Sequence, residues 1–239
     1  MPIKSIIVWG DSILKGIVSS EDLKEIRPIE NNALAIAGKN LNIEVINKSI
    51  YGAPITKIRQ TQIKNLNKNL SADICLIESA TNDSDYDWNL ISSNPNEHHE
   101  PKVPLDDFKN ILEQTVQTAI ENSITPVLVT STPLVTKWWF DYICIGQNRE
   151  ALLKFINNDP EVLFKNQEQY SNVVKEFATT NNIQLIDLRT EFLKSDDYTK
   201  LMCKDGVHPN VEGHKFMAEI FEKILPTIRP GQGTLCSRP

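Results

Sequence analysis

The sequence predicts an α/β protein, a three-layer α/β/α sandwich built on a five-stranded parallel sheet. Short apolar runs rich in β-branched residues alternate along the chain with longer segments in which apolar residues recur at helical spacing. Hydrophobic residues make up 40% of the 239 positions and charged residues 23%, which is the composition of an ordinary globular domain. No repeat or linker-like stretch divides the chain. We therefore predict one domain over residues 1–226, followed by a loose tail over residues 227–239.

The order of these segments predicts the topology of the sheet. The predicted strands span residues 3–9, 43–50, 73–79, 124–131 and 183–188. The predicted helices span residues 29–40, 55–70, 105–122, 162–180 and 211–225. A helix between successive strands favours right-handed crossovers, and these produce a parallel sheet covered on both faces. The remaining long segments are expected to be a loop over residues 17–28, an irregular insertion over residues 84–104, and a second insertion with one short helix over residues 133–159.

Charge and composition exclude several classes of protein. The net charge is −6 and the chain has no basic stripe, so we expect no nucleic-acid partner. No apolar stretch approaches the ~20 residues of a membrane helix, and the amino terminus lacks the apolar core of a signal peptide. We therefore expect no membrane partner and a cytoplasmic location. The cysteines are widely scattered without a CxxC pair, which indicates neither a zinc site nor a disulfide framework; they are Cys75, Cys144, Cys203 and Cys236.

The first predicted strand ends in Gly10, Asp11 and Ser12, and Ser12 is the first candidate catalytic residue. Ligands of open α/β sheets bind at the carboxyl ends of the strands, and N–H groups at the start of a helix favour an anion. The same residues would also suit a plain turn followed by a helix cap, because Asp and Ser are good N-caps. Residues near the carboxyl terminus favour a catalytic role for Ser12 over a role in a turn or cap.

Asp205 and His208 near the carboxyl terminus supply an acid and a base. A neutral histidine takes a proton from a serine, while a nearby carboxylate fixes the tautomer of the ring. The short spacing allows one tight loop to present both side chains, with Gly206 supplying backbone freedom and Pro209 fixing the exit. The simpler interpretation is a turn followed by a helix that Asn210 caps.

Four motifs together resemble the sequence blocks of the SGNH (GDSL-type) hydrolases. They are Gly10-Asp11-Ser12, Gly52, Asn82 and Asp205-x-x-His208, in the order that the family has them. The resemblance runs from residue 3 to about residue 225, and the segment that starts at Asn82 is similar to a bacterial branch of the family. It implies a flavodoxin-like SGNH hydrolase fold. The absence of a G-x-S-x-G elbow from the sequence argues against the α/β-hydrolase fold.

The resemblance also implies a role for each motif. Ser12 resembles the nucleophile, His208 the general base and Asp205 the residue that orients the base. The oxyanion hole would consist of the N–H groups of Ser12 and Gly52 and the side-chain amide of Asn82, each donor lowering the barrier by ~3 kcal/mol. Simpler roles exist: Gly52 for the φ angle of a turn, and Asn82 for an Asx-turn. The resemblance implies neither a metal nor a cofactor.

One motif departs from the family pattern. The third block usually reads Gly-x-Asn-Asp, whereas this chain has Ala80, Thr81, Asn82 and Asp83. If the first position needs a positive φ, Ala80 strains the turn by ~1 kcal/mol and shifts Asn82. Asp83, like Asp11 in the first block, is expected to hold its loop by hydrogen bonds.

The resemblance implies a serine esterase that acts on a small-molecule ester through an acyl-serine. Two alternatives stay open: an acyltransferase with the same triad, and a catalytically weak relative that binds carbohydrate or lipid, which Ala80 alone favours. The insertions carry many of the aromatic residues: Trp88, Trp138, Trp139, Phe140 and Tyr142. We expect these rings to roof the crevice, with Trp88, Trp138 and Trp139 contacting substrate, and to favour acetyl-like esters of small or sugar-like alcohols. The simpler interpretation is that each ring packs its insertion onto the domain.

The other histidines are weaker candidates. Glu97, His98, His99 and Glu100 have the residue types of metal ligands, but contiguous side chains diverge, so we predict a solvated loop. His214, on the last predicted helix, is expected to be a surface or capping residue.

Overall fold

The computed structural model describes residues 2–231 and confirms the α/β fold. Its strands are β1 (Ser5–Trp9), β2 (Ile17–Ser19), β3 (Ile26–Pro28), β4 (Glu44–Asn47), β5 (Ile74–Ser79), β6 (Thr125–Thr130) and β7 (Gln184–Ile186). Its helices are α1 (Ser12–Lys15), α2 (Ala33–Leu41), α3 (Ile55–Leu66), α4 (Trp88–Ser93), α5 (Leu105–Glu121), α6 (Thr136–Ile143), α7 (Arg149–Phe155), α8 (Glu161–Thr180), α9 (Leu188–Lys194) and α10 (Val211–Ile224). Short 3₁₀ turns at Tyr198–Leu201 and Leu225–Thr227 flank α10.

The main sheet has the strand order β4-β1-β5-β6-β7, and every neighbouring pair is parallel. β1 therefore lies between β4 and β5. Because parallel strands end at the same edge of a sheet, the segments that follow these three strands emerge side by side. Those segments contain Ser12, Gly52 and Asn82, so the topology brings three separate sequence motifs to one edge.

The sheet is buried on both faces. On β1, Ile6 and Val8 pack into a core with α2, α9 and α10, whereas Ile7 and Trp9 pack into a second core with α3, α5 and α8. Side chains alternate between the two faces with the period of two that a strand imposes. This explains why the first strand is a continuous apolar run rather than an alternating one.

Residues 17–28 form a hairpin of β2 and β3, so the predicted loop is wrong at this point. Val18 pairs with Arg27 in an antiparallel register. The turn is closed by the Ser20 hydroxyl, which donates to Asp22 at 2.7 Å. Each strand is only three residues long, and such a short run carries no readable alternation.

Both insertions contain more helix than the sequence predicts. α4 lies in the first, and the second holds α6 and α7 instead of one helix. The Asp87 side chain caps α4 by accepting the Leu90 N–H at 3.1 Å. The two insertions pack together around a separate apolar cluster that includes Trp88, Phe140 and Leu152. We call it the insertion cluster. α9, which follows β7 directly, is a further helix that the sequence did not predict.

Part of the predicted carboxyl-terminal tail packs against the domain. Ile228 is buried in the core, and the Gly231 N–H donates to Thr125 Oγ1 at 2.7 Å. Residues 232–239, including Cys236, lie outside the described part of the chain. Among residues 2–231 no helix has the length and apolar character that a bilayer crossing requires.

Candidate active site

Ser12 lies where β1 ends and α1 begins. The Asp11 side chain accepts the Ile13 N–H at 2.8 Å and so caps α1. This helix is only four residues long, because Gly16 ends it with a φ of 84°. The tight turn fixes the Ser12 hydroxyl at the carboxyl edge of the sheet, where the residue is 5% exposed.

Asp205 and His208 are held in a tight loop that precedes α10. Asp205 Oδ1 accepts two backbone hydrogen bonds, from the N–H groups of Val207 and His208, each at 3.0 Å. Gly206 has a φ of 77°, and a β carbon there would lie 2.3 Å from the backbone nitrogen of Trp139. The loop therefore requires glycine both for its backbone angle and for its close approach to α6.

The structure brings Ser12, Asp205 and His208 together. His208 Nδ1 lies 2.8 Å from Asp205 Oδ2, and His208 Nε2 lies 2.9 Å from Ser12 Oγ. Burial alone would raise the pKa of Asp205, but its hydrogen bonds with His208 outweigh burial and hold that pKa below its usual value. An ionised Asp205 keeps the ring proton on Nδ1, so Nε2 is free to accept the hydroxyl hydrogen of Ser12.

The three expected oxyanion donors lie at the ends of β1, β4 and β5. Within residues 2–231, neither the Ser12 N–H nor the Gly52 N–H donates a hydrogen bond to the protein. Gly52 has a φ of 67°, so its turn favours glycine whatever its chemical role. The Asn82 amide donates one hydrogen to Asp11 Oδ2 at 2.7 Å, which leaves its second amide hydrogen for a ligand.

The turn that carries Asn82 contains the strain expected at Ala80. Ala80 is fully buried and has a φ of 116°, a conformation that disfavours any residue with a β carbon. Asp83 holds the turn, because its Oδ2 accepts the Ala80 N–H at 2.9 Å and its Oδ1 accepts the Ile55 N–H at 2.7 Å. Burial raises the pKa of Asp83 to about 7. Asp83 and Asp11 thus brace their loops as predicted.

Glu78 is a buried carboxylate beneath the site that sequence reasoning missed. Its Oε2 accepts the Asp11 N–H at 3.0 Å, and its Oε1 accepts the Ser131 hydroxyl at 2.8 Å. Burial raises the pKa of Glu78, and burial together with the Glu78 charge raises the pKa of Asp11 well above its usual value. The available signal was one charged residue within an otherwise apolar strand.

The aromatic side chains of the insertions do not act together as the predicted roof. Trp88 is buried in the insertion cluster and donates its indole N–H to Asp85 at 2.8 Å, so it is a packing residue rather than a substrate contact. Trp138 packs beside the main core, and the Lys204 ammonium lies 4.1 Å from the centre of its ring. Trp139 is half-buried and stacks on Tyr142, with ring centres 5.7 Å apart.

Tyr51 is a residue beside the site that nothing in the sequence indicated. It precedes Gly52 in the turn after β4, and it is 50% exposed. Its ring centre lies 6.1 Å from that of His208, with an angle of 20° between the two planes. Sequence patterns do not reveal such a contact, because it joins two loops that are far apart along the chain.

The predicted surface role of His214 is wrong. This residue is fully buried on α10, beside the backbone of Ile17. Burial lowers its pKa to about 4. His98 Nε2 lies 3.6 Å from Glu100 Oε1 at the surface, whereas His99 Nε2 lies 2.8 Å from the Asn94 carbonyl oxygen, so the two histidine rings have different partners.

Comparisons with known proteins show where the same fold occurs and which family the chain matches. A lipase/acylhydrolase from Enterococcus faecalis has a similar structure, with a TM-score of 0.65 and 15% identity over 96% of this chain and 99% of the other. A lipolytic protein of the G-D-S-L family from Veillonella parvula has a TM-score of 0.63 and 16% identity, over 92% of this chain and 97% of the other. An acetylxylan esterase from Geobacillus stearothermophilus has a TM-score of 0.61 and 22% identity, over 98% of this chain and 97% of the other. Curated protein sequences gave no significant match. The model of the GDSL-like lipase/acylhydrolase family matches residues 8–216, and the chain belongs to that family.

Proposed function

We propose that the protein is a carboxylic ester hydrolase that works through an acyl-serine intermediate. The observation that carries this proposal is the hydrogen-bonded series from Asp205 to His208 at 2.8 Å and from His208 to Ser12 at 2.9 Å. A serine with an adjacent base, itself held by an acid, is the arrangement that acyl transfer needs. Membership of the acylhydrolase family supports the same class of reaction.

In the acylation step, Ser12 Oγ bonds to the ester carbonyl carbon while His208 Nε2 takes its proton. The carbonyl oxygen becomes an oxyanion, for which the Ser12 and Gly52 N–H groups and the second Asn82 amide hydrogen are the donors. When the intermediate collapses, the bond to the alcohol oxygen breaks and His208 returns the proton to that oxygen. Water then attacks the acyl-serine by the same steps, which releases the acid. This mechanism uses neither a metal nor a cofactor.

We further propose that the acyl group is short and acetyl-like, and that the alcohol is small or sugar-like. A cavity with room for about one water molecule lies beside the Asn82 turn, lined by Thr81, Ser84, Asp85, Leu134, Trp139 and Leu163. As part of this proposal we assign the acyl group to this cavity, which would admit a methyl group and not a long chain. The neighbour in fold named an acetylxylan esterase supports the same substrate class.

The Ser12→Ala variant tests the proposed reaction. We expect hydrolysis of p-nitrophenyl acetate to fall at least ~1,000-fold, because the members of a triad act as a unit. The matched control is Ser71→Ala, an exposed serine at the opposite end of the sheet, which should keep wild-type activity. Thermal unfolding of both variants checks the fold. Activity of Ser12→Ala within a few-fold of wild type would remove Ser12 from the mechanism.

A further inference from the structure

The ring of Tyr51 forms an accessible aromatic surface directly beside the proposed base. It is 50% exposed, whereas Ser12 and His208 are each only 5% exposed. Its plane is tilted by 20° from that of the His208 imidazole, with 6.1 Å between the ring centres. The structure therefore places an open aromatic face next to a nearly closed catalytic group.

The position of Tyr51 relative to His208 indicates which part of an ester it would contact. During acylation His208 Nε2 gives its proton to the leaving oxygen, so the alcohol portion of the substrate must lie on the imidazole side of the carbonyl carbon. Tyr51 is on that side. Because Tyr51 also precedes Gly52, one turn would supply both an oxyanion donor and a contact with the alcohol.

Two further aromatic side chains lie on α6. Burial raises the pKa of Tyr142, and the charges of Tyr51 and Asp205 raise it further, so these groups lie within electrostatic range of Tyr142. Tyr142 in turn stacks on Trp139 with an angle of 27° between the rings. Tyr142 and Trp139 are half-buried, so each presents part of its surface.

We infer that Tyr51 is the stacking platform for a pyranose ring in the alcohol part of the substrate. This inference rests on the proposed esterase function. The face of an aromatic ring is electron-rich, and the axial C–H groups of a sugar ring present a complementary, weakly positive surface. Stacking leaves the sugar hydroxyls at the edges, where water or polar groups reach them. A small aliphatic alcohol is too short to cover the ring and gains little from it.

Two acetyl esters that share an acyl group and differ in the alcohol test this inference. The first is an acetylated methyl xylopyranoside, and the second is ethyl acetate. For Tyr51→Ala we expect kcat/KM on the sugar ester to fall ~10-fold, mainly through KM, and on ethyl acetate by less than ~2-fold. Tyr51→Phe should retain wild-type values, because the ring rather than the hydroxyl binds. Leu193→Ala, a 42%-exposed apolar residue on α9, is the control.

A second readout is independent of turnover. Binding of methyl xylopyranoside to the Ser12→Ala protein, followed by saturation-transfer NMR, should be lost when Tyr51→Ala is added. Equal losses on the two esters, or a shift in the pH profile of kcat/KM, would show that Tyr51 acts through His208 and would overturn the inference. Undiminished sugar binding in the double variant would overturn it too. Hydrolysis of ethyl acetate by the wild type tests the esterase proposal separately from the effects of the Tyr51 variants.

Discussion

At the scale of single residues, Asp11 connects the nucleophile to the oxyanion donors. One carboxylate oxygen accepts the Ile13 N–H and fixes the turn of Ser12, and the other accepts the Asn82 amide at 2.7 Å. The side chain is fully buried, so neither contact is loosened by water. The orientation of Asn82 therefore depends on an acceptor at Asp11 rather than on its own turn alone.

Replacement of Asp11 by asparagine should disable Asn82 without disturbing the triad. The new amide can still accept the Ile13 N–H through its oxygen, but its NH₂ group would face the NH₂ group of Asn82. The Asn82 amide would then flip and present its oxygen to the oxyanion. We expect kcat on p-nitrophenyl acetate to fall ~100-fold with little change in KM. The double variant Asp11→Asn/Asn82→Ala should equal Asn82→Ala alone; losses that simply add would contradict this coupling.

At the scale of elements, the second insertion braces the catalytic loop. The Val135 N–H, just before α6, donates to the Gly206 carbonyl at 2.8 Å. Val207, between Asp205 and His208, is buried in the insertion cluster. The second insertion is therefore connected to the loop of the proposed base by direct packing and by a backbone hydrogen bond.

The insertion also offers a test of the proposed acyl preference. Trp139→Ala enlarges the cavity beside the Asn82 turn, so we expect kcat/KM on p-nitrophenyl hexanoate relative to acetate to rise ~5-fold or more. Trp138→Ala is the matched control, since its ring lies against Lys204 and the main core instead of this cavity. A wild-type enzyme whose kcat/KM rises steadily from acetyl to decanoyl esters would contradict the short-acyl proposal, as would an equal gain in Trp138→Ala.

The five strands of the main sheet and the long helices could be predicted from the sequence, whereas several short elements outside the main sheet could not. The strands and helices of the sandwich were predicted because continuous apolar runs and helical periodicity are visible over many residues. β2, β3, α4 and α9 span three to seven residues, and their formation depends on tertiary contacts and caps such as the Asp187 side chain of α9. Propensity over so few positions is a weak guide.

At the scale of the whole molecule, the parallel sheet assembles the site from distant parts of the chain. Ser12 and His208 are 196 positions apart and lie within hydrogen-bond distance. Family motifs made this pairing predictable. Tyr51 was not predictable, because it matters through a contact between loops that no local pattern encodes. Glu78 was visible as a charged residue in an apolar strand, but its partners Asp11 and Ser131 were not. The same holds for the burial of His214, whose surroundings come from separate elements.

The buried His214 should make the stability of the whole domain sensitive to acid. Its pKa is lowered to about 4 in the folded state, against ~6.5 when unfolded. The unfolded chain thus binds the extra proton between these values, and stability falls as the pH drops from 6.5 to 4, by roughly 3 kcal/mol in all. Asp83, whose pKa is raised to about 7, has the opposite effect, because its protonation stabilises the folded state as the pH falls. The contribution of His214 must therefore be measured as the difference between wild type and a variant that lacks this histidine.

Urea unfolding of His214→Leu and wild type at several pH values isolates this contribution. We expect the free energy of unfolding of the variant, relative to wild type, to improve steadily as the pH falls from 6.5 to 4. His98→Leu, an exposed histidine, should show no such trend. A constant difference between His214→Leu and wild type across this range would mean that the buried ring does not titrate on unfolding.

The central claim is that His208 and Asp205 activate Ser12 as a nucleophile, and covalent labelling tests it most directly. A fluorophosphonate forms a bond from phosphorus to an activated serine oxygen and releases fluoride, so peptide mass spectrometry after labelling identifies the residue. We predict a single modified peptide carrying the phosphonyl group on Ser12, labelled far more slowly in His208→Ala. Label on another serine, or no label on a folded protein that still hydrolyses esters, would contradict the account.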